Sequence, residues 1–363
     1  MVVFRAGGRL SRLDNWFYNG VNLEIVNVFK YLGIVLSYTG SFAKTQQTLS
    51  KQGRKAIFAL NKLVKNFVGL DPLMLCDLFD KLVLPILTYS CEVWGFYPSE
   101  AIERVHRDFM RSALKVKTTT LNEFLYGELG RLPLCYTRYS RIVKYWFKIL
   151  ESPDNRLIKR VYCIQRNHIE NDGNVTNWVS LLRDLLCVHG FGHVWLNQGV
   201  GSINCFMMVF KQRMKDVYYQ SWNATIRDSR KAITYKHIVE GFRPQFYLSN
   251  IRIPKYRHAM TKLRLRNNRL KVETGSWNGP NAIVYHERIC EFCNQNHLED
   301  EYHFVMTCSY YTELRRIFIP KYYRIRPNMY KFVSLMSTEN ITLLNKVATY
   351  VGKAFEKRNN NVL

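Results

Sequence analysis

The sequence predicts a mainly α protein that opens on a small antiparallel β meander, and three observations carry that expectation. The first is Asn19-Gly20 between aromatic and branched residues, a strong hairpin signal because both positions accept positive φ in a type I′ turn. The second is helical apolar spacing from Ser41 onward, broken at residues that cap helices. The third is a quartet near the C-terminus, Cys290, Cys293, His303 and Cys308, whose intervals suit a metal ion.

Residues 14–36 read as β: Trp16-Phe-Tyr18, the Asn-Gly turn, Val21 to Ile25, then Phe29 to Leu36. A helix is expected over 41–67, with Ile57, Leu60, Val64 and Phe67 as its apolar stripe and Lys44, Lys51, Lys55 and Lys62 together on another face. Such a lysine face is by itself the ordinary solvated side of a helix. Asp71-Pro72 supplies an N-cap and a first-turn proline for the next helix, which Pro85 ends or kinks. Ser99 can cap a third helix with Ile102, Val105 and Phe109 inward and Arg104, Arg107 and Arg111 outward, and Tyr136 to Leu150 forms a fourth. Asp154 to Asn177, richer in Asn, Asp and Gly, reads as a flexible connection, with further helices near 178–186 and 206–222. The expected division is a β meander at 1–40, a helical domain at 41–150, a helical connector at 151–250, a basic helix with a zinc module at 251–320, and a helical segment at 321–363.

The 363 residues include 53 Lys and Arg against 28 Asp and Glu, a formal net charge of +25. So large an imbalance raises the energy of the compact chain, and a polyanion would relieve it. The uncharged stretches at 82–91 and 193–210 are too short or too polar to span a bilayer, which favours nucleic acid over membrane. The first residues carry no apolar run resembling a signal peptide, so the expectation is an intracellular protein of nucleus or cytoplasm with reduced or metal-bound cysteines. The sequons at Asn174, Asn223 and Asn340 then carry no meaning.

Two residues separate Cys290 from Cys293, nine separate Cys293 from His303, and four separate His303 from Cys308. Zinc takes thiolate and imidazole ligands at tetrahedral corners, and a two-residue gap lets one tight turn offer both sulfurs to one ion. The bland alternative is buried thiol, since cysteine packs as a small hydrophobe; against it, the other six cysteines (76, 91, 135, 163, 187 and 205) are solitary. His297 and His286 compete for the fourth position, and His303 is preferred for its knuckle spacing. Four protein ligands leave no open position for water, so one structural Zn2+ that folds the segment is expected.

Arg252 to Lys271 holds eight Lys or Arg and no acid. On one helix, Met260, Leu263 and Leu270 face inward while Lys262, Arg264, Arg266, Arg269 and Lys271 point out. With Trp277 nearby, this supplies cations for phosphates and a ring for a base, the ingredients of single-strand or hybrid binding.

Phe4-Arg-Ala-Gly-Gly8, Phe29-Lys-Tyr-Leu-Gly33, Leu84-Pro-Ile-Leu-Thr-Tyr-Ser-Cys-Glu-Val-Trp-Gly95, Tyr126-Gly-Glu-Leu-Gly-Arg-Leu-Pro133 and Cys290 to Cys308, in that order, resemble the C-terminal part of LINE-type non-LTR retrotransposon reverse transcriptases. The resemblance covers nearly the whole chain and is weakest between about 150 and 250. It implies that Phe29, Lys30, Tyr31, Leu32 and Gly33 are similar to the primer-grip hairpin, that 41–150 is a thumb whose basic helices track template and primer, and that the Cys/His quartet is the family's zinc-binding module. It also matches Glu299-Asp300-Glu301, which otherwise read as a solvated loop.

The chain departs from the family where chemistry is concerned. Nucleotidyl transfer needs paired aspartates holding two metal ions about 3.5–4 Å apart, and no Asp-Asp pair occurs here. In the family those aspartates lie upstream of the part this chain matches, and the 55 residues after Cys308 are too few for a nuclease domain. Asp77 and Asp80 read as surface charge on the Asp71-capped helix. The expected function is binding of template RNA, primer DNA or their hybrid by a fragment without catalytic residues, on behalf of a separate polymerase domain. The alternatives are a zinc-stabilised protein-interaction scaffold and a complete enzyme whose carboxylate pair is assembled from distant residues.

Overall fold

Two hairpins follow one another at the N-terminus of the computed structural model, which describes all residues except 6–7, 9, 11–14, 66, 68–69, 172–174, 278 and 361–363. Strand β1 (Phe17–Tyr18) pairs with β2 (Val21–Asn22) through a turn in which Asn19 and Gly20 both have positive φ (48° and 76°), the type I′ geometry expected of Asn-Gly. Strand β3 (Val28–Tyr31) pairs with β4 (Ile34–Ser37) around Leu32 and Gly33, also at positive φ. Each pair is its own two-stranded sheet, so the opening element is two hairpins in succession. Of Phe4–Gly8, residues 6 and 7 lie outside the described residues, as does the Asn174 sequon.

The rest is helical, as composition and spacing predict, and no helix among the described residues is long and apolar enough to cross a membrane. The chain forms two compact units: Met1–Asn61 with Phe79–His106 and Pro133–Val217, and Lys62–Leu78 with Arg107–Leu132 and Tyr218–Leu363. Each is assembled from segments distant in sequence.

In the first unit, helix Leu134–Leu150 supplies the central apolar face, burying Ile142, Val143, Trp146 and Phe147 against Leu182 and Leu186 of helix Trp178–Val188 and against Phe206, Phe210 and Met214. Its first turn is closed by a carboxylate: Leu134 and Cys135 donate their N–H groups to Glu103 (3.0 and 2.9 Å), a charge suited to a helix N-terminus. Residues 157–171, expected to be a connection, are instead helical, and only 172–174 of that stretch lie outside the described residues. The Asn and Asp residues that suggested a loop cluster at the ends. Between them Tyr162 and Ile169 turn inward, the Tyr162 hydroxyl accepting from Trp146 Nε1 at 3.1 Å, and Asn177 with Ser180 makes a capping box that starts the next helix. Helix Ala43–Val64 is shorter than the 41–67 expected. It buries Thr45, Gln46, Leu49, Ser50, Gly53 and Leu60, while Ile57 and Val64 are half-buried and Phe67 is exposed beyond its end. Thr45 ties this helix to the second hairpin by exchanging hydrogen bonds with both backbone groups of Val35.

In the second unit, Asp71 Oδ1 accepts from Leu73 and Met74 N–H, the N-cap expected before Pro72. Helix Pro254–Arg264 lies along helix Ile341–Asn360, where Gly352 leaves room for Tyr256; a Cβ there would stand 2.4 Å from the ring. Arg264 is buried and paired with Glu128 at 3.1 Å, and it also donates to Gln245 and to the carbonyls of Ile238 and Met336.

Candidate metal centre

The basic helix stops seven residues earlier than its composition suggests. Asn267 N–H returns to Lys262 O (2.8 Å) and Arg266 N–H to Leu263 O (3.3 Å), the pair of bonds of a Schellman stop, with Arg266 at φ 50° in the position glycine usually fills. Two arginines expected on the surface are thereby turned inward. Arg264 is 3% and Arg266 7% exposed, the latter 3.5 Å from Glu301 and donating to the carbonyls of Arg230, Lys231 and Val272. They are paired structural cations, because an arginine in a dry interior is tolerated only with its charge and donors met. Lys262 and Arg269 remain exposed as expected, Lys271 is half-buried and paired with Glu291, and Met260, Leu263 and Leu270 are buried.

After the short helix Lys271–Thr274 the chain reaches the quartet. Ile289 bridges Leu298, and Cys290 N–H donates to His297 O at 2.9 Å, so the loop between them is a narrow knuckle with Asn294 and Asn296 at positive φ. Tyr302 leads into a π-helical turn, His303–Thr307, closed by Cys308 N–H on His303 O. Knuckle and turn bring the Sγ atoms of Cys290, Cys293 and Cys308 and a ring nitrogen of His303 within 4.8 Å of one another. Cys290 Sγ to Cys308 Sγ is 3.9 Å and Cys293 Sγ to His303 Nε2 is 3.4 Å. A tetrahedral ion with bonds of about 2.0–2.3 Å has ligand–ligand edges of about 3.3–3.8 Å, close to these two distances, so the donor set is compatible with such an ion. His303 Nδ1 meets Thr307 Oγ1 at 3.0 Å, the outer hydrogen bond that would fix the ring with Nε2 toward a metal. His297 and His286 fall outside the group; His297 serves through its backbone carbonyl. Among the described residues this is the one cluster of three or more such ligands.

The acids before His303 are not a solvated loop. Glu299 (2% exposed) accepts both guanidinium nitrogens of Arg358 and the Lys271 N–H, Glu301 (3%) pairs with Arg266 and accepts from Thr234, and Asp300 Oδ1 accepts from His303 N–H at 2.7 Å. Burial raises the carboxyl pKa of Glu299 and Glu301, opposed by Arg358 and Arg266 respectively. Arg315 donates to Val305 O and Cys308 O, fixing the last ligand from behind. Only an acidic run directly before a ligand histidine, in a chain poor in acids, hinted at this scaffold.

The remaining expected contact residues are spread out. Lys44, Lys51, Lys55 and Lys62 are all exposed on helix Ala43–Val64. Trp277 is half exposed and has Lys117 Nζ 4.5 Å from its ring centroid. Phe29, Lys30 and Tyr31 lie on β3, and Leu32-Gly33 is its turn, with Tyr89 donating to Leu32 O at 2.9 Å. No family model, no curated protein and no solved structure matches the chain.

Proposed function

We propose that this chain is a zinc-stabilised nucleic-acid-binding module, similar to the C-terminal part of a LINE-type reverse transcriptase, that holds RNA, DNA or their hybrid without a polymerase site of its own. The observation that carries the reading is the quartet, gathered within 4.8 Å, in a strongly basic chain whose Lys262 and Arg269 stay unburied in the same unit. Zinc bound to Cys290, Cys293, His303 and Cys308 would hold knuckle and π-turn together; with four protein ligands it supplies structure rather than a reactive water. Metal analysis of the purified chain should give close to one zinc, retained in His297→Ala and lost in Cys293→Ser; retention in the latter overturns the assignment. The same preparation should bind single-stranded RNA and an RNA–DNA hybrid with affinity that falls as salt rises, and should incorporate no nucleotide on a primed template with magnesium. Salt-insensitive binding to proteins in place of nucleic acid would favour the scaffold instead.

A further inference from the structure

A cleft of about 1120 Å³ opens within the second unit between helix Pro254–Arg264, the turn that ends it, residues 115–117 and the last turns of helix Ile341–Asn360. Lys115, Lys117, Lys262 and Arg269 line it, all exposed, and among the described residues none has a carboxylate within ion-pair distance. The acid on the wall, Glu356, is already paired with Lys255. Four like charges around one hollow repel one another until a counter-charge enters.

A second feature is independent of those charges. Asn268, 5% exposed, lines the same cleft; its Oδ1 accepts from Leu270 N–H at 3.0 Å, while its Nδ2 has no acceptor among the described residues. A buried donor without an acceptor costs about 1–3 kcal/mol, and such a group on the wall of a polar cleft calls for a ligand oxygen. His258, on the same wall, is held neutral: burial, with Arg257, Lys115 and Lys262 around it, pushes its pKa down to about 4. The hollow therefore offers donors and positive charge and is far larger than one phosphate group. Trp277, whose ring Lys117 caps, gives a half-exposed aromatic face next to one of the four cations.

We propose that this cleft seats the backbone of a short single strand of nucleic acid, with Lys115, Lys117, Lys262 and Arg269 on its phosphates, Asn268 donating from the wall, and Trp277 stacking a base. A single strand can enter a hollow and unstack onto a ring, whereas a duplex offers its phosphates on a convex surface. The proposal rests on the nucleic-acid reading above and adds the site and the strand form.

The test is fluorescence anisotropy of the full zinc-loaded chain with a labelled single-stranded RNA 12-mer, titrated with salt. Each single-strand phosphate contact contributes a slope of about 0.7, so Lys115→Gln with Lys262→Gln and Arg269→Gln should weaken binding about 100-fold at 0.1 M salt and flatten the slope by about 2. Lys44→Gln with Lys51→Gln and Lys55→Gln removes the same charge elsewhere and should have much less effect. All six side chains are exposed, so both variants should keep the wild-type melting temperature. Asn268→Asp keeps the acceptor for Leu270, removes the donor and adds a negative charge; it should also lose affinity for the strand. Equal losses in the two triple variants would reduce the cleft to diffuse charge and overturn the proposal. Loss of tripolyphosphate binding with strand binding intact would make it a site for free polyphosphate and overturn it as well. If the wild type binds no oligonucleotide, the nucleic-acid reading itself fails; if it binds and the cleft variants match it, only this inference falls.

Discussion

The N-terminal hairpin and the cysteine knuckle are both short turns, yet they are held in opposite ways. In the hairpin Phe17, Tyr18 and Val21 are each about two-thirds exposed (65%, 69% and 67%), so its shape rests on Asn19-Gly20 and a few ladder bonds. In the knuckle the tip is open, but the base is fastened by Glu299 to Arg358, Glu301 to Arg266, and Arg315 to Cys308 O. Turn chemistry is sufficient to shape a loop, while its rigidity comes from partners far along the chain, at least three of them buried charges whose removal would leave an uncompensated ion.

The largest effect that separates the two should come from metal. Chelation should melt the knuckle and the π-turn, since structural zinc contributes about 10–16 kcal/mol to folding in small zinc peptides. Thermal melting with and without chelator, read beside alkylation of Cys290, Cys293 and Cys308, should show a large downward shift and newly reactive thiols. Unchanged melting would mean that the charged scaffold alone holds the loop. A smaller effect should follow from Arg358→Gln, which leaves all four ligands in place but strands Glu299. Zinc affinity measured by competition with a chromogenic chelator should fall about 10–100-fold, the usual cost of losing an outer support. Wild-type affinity would mean the support is dispensable. Smallest is Gly20→Ala. Its left-handed φ of 76° costs an alanine about 1–2 kcal/mol, enough to unpair an exposed two-stranded hairpin. The amide signals of Phe17 and Val21 should lose their hairpin shifts while zinc content and the global transition stay fixed; a matching drop in global stability would show that the hairpin is a structural part of its unit.

How much of this was legible in the sequence follows the same division. Asn19-Gly20, the Asp71 cap and the quartet all act over a few residues, and each stands where local rules put it. Arg264 and Arg266 read as surface charge because the residues that absorb them, Glu128 and Glu301, lie in other segments, and because a Schellman stop built on arginine carries no glycine to mark it. Glu299 reads as solvated for the same reason, its partner being 59 residues away. The helix over 157–171 is masked in the sequence by the loop-forming residues at its ends. The cleft could not be foreseen, since its walls come from three stretches that are not neighbours in sequence.

The 59-residue interval between Glu299 and Arg358 also has a meaning in time. A ribosome adding about 5–20 residues per second completes the knuckle roughly 3–12 s before it makes the arginine that secures it. On the proposed zinc reading, Cys290, Cys293 and, once it is made, Cys308 would rely through that interval on early capture of an ion to hold the knuckle before Arg358 arrives. On that reading the metal would be needed most while the chain is still unfinished, and scarcity of zinc would show first in newly made protein.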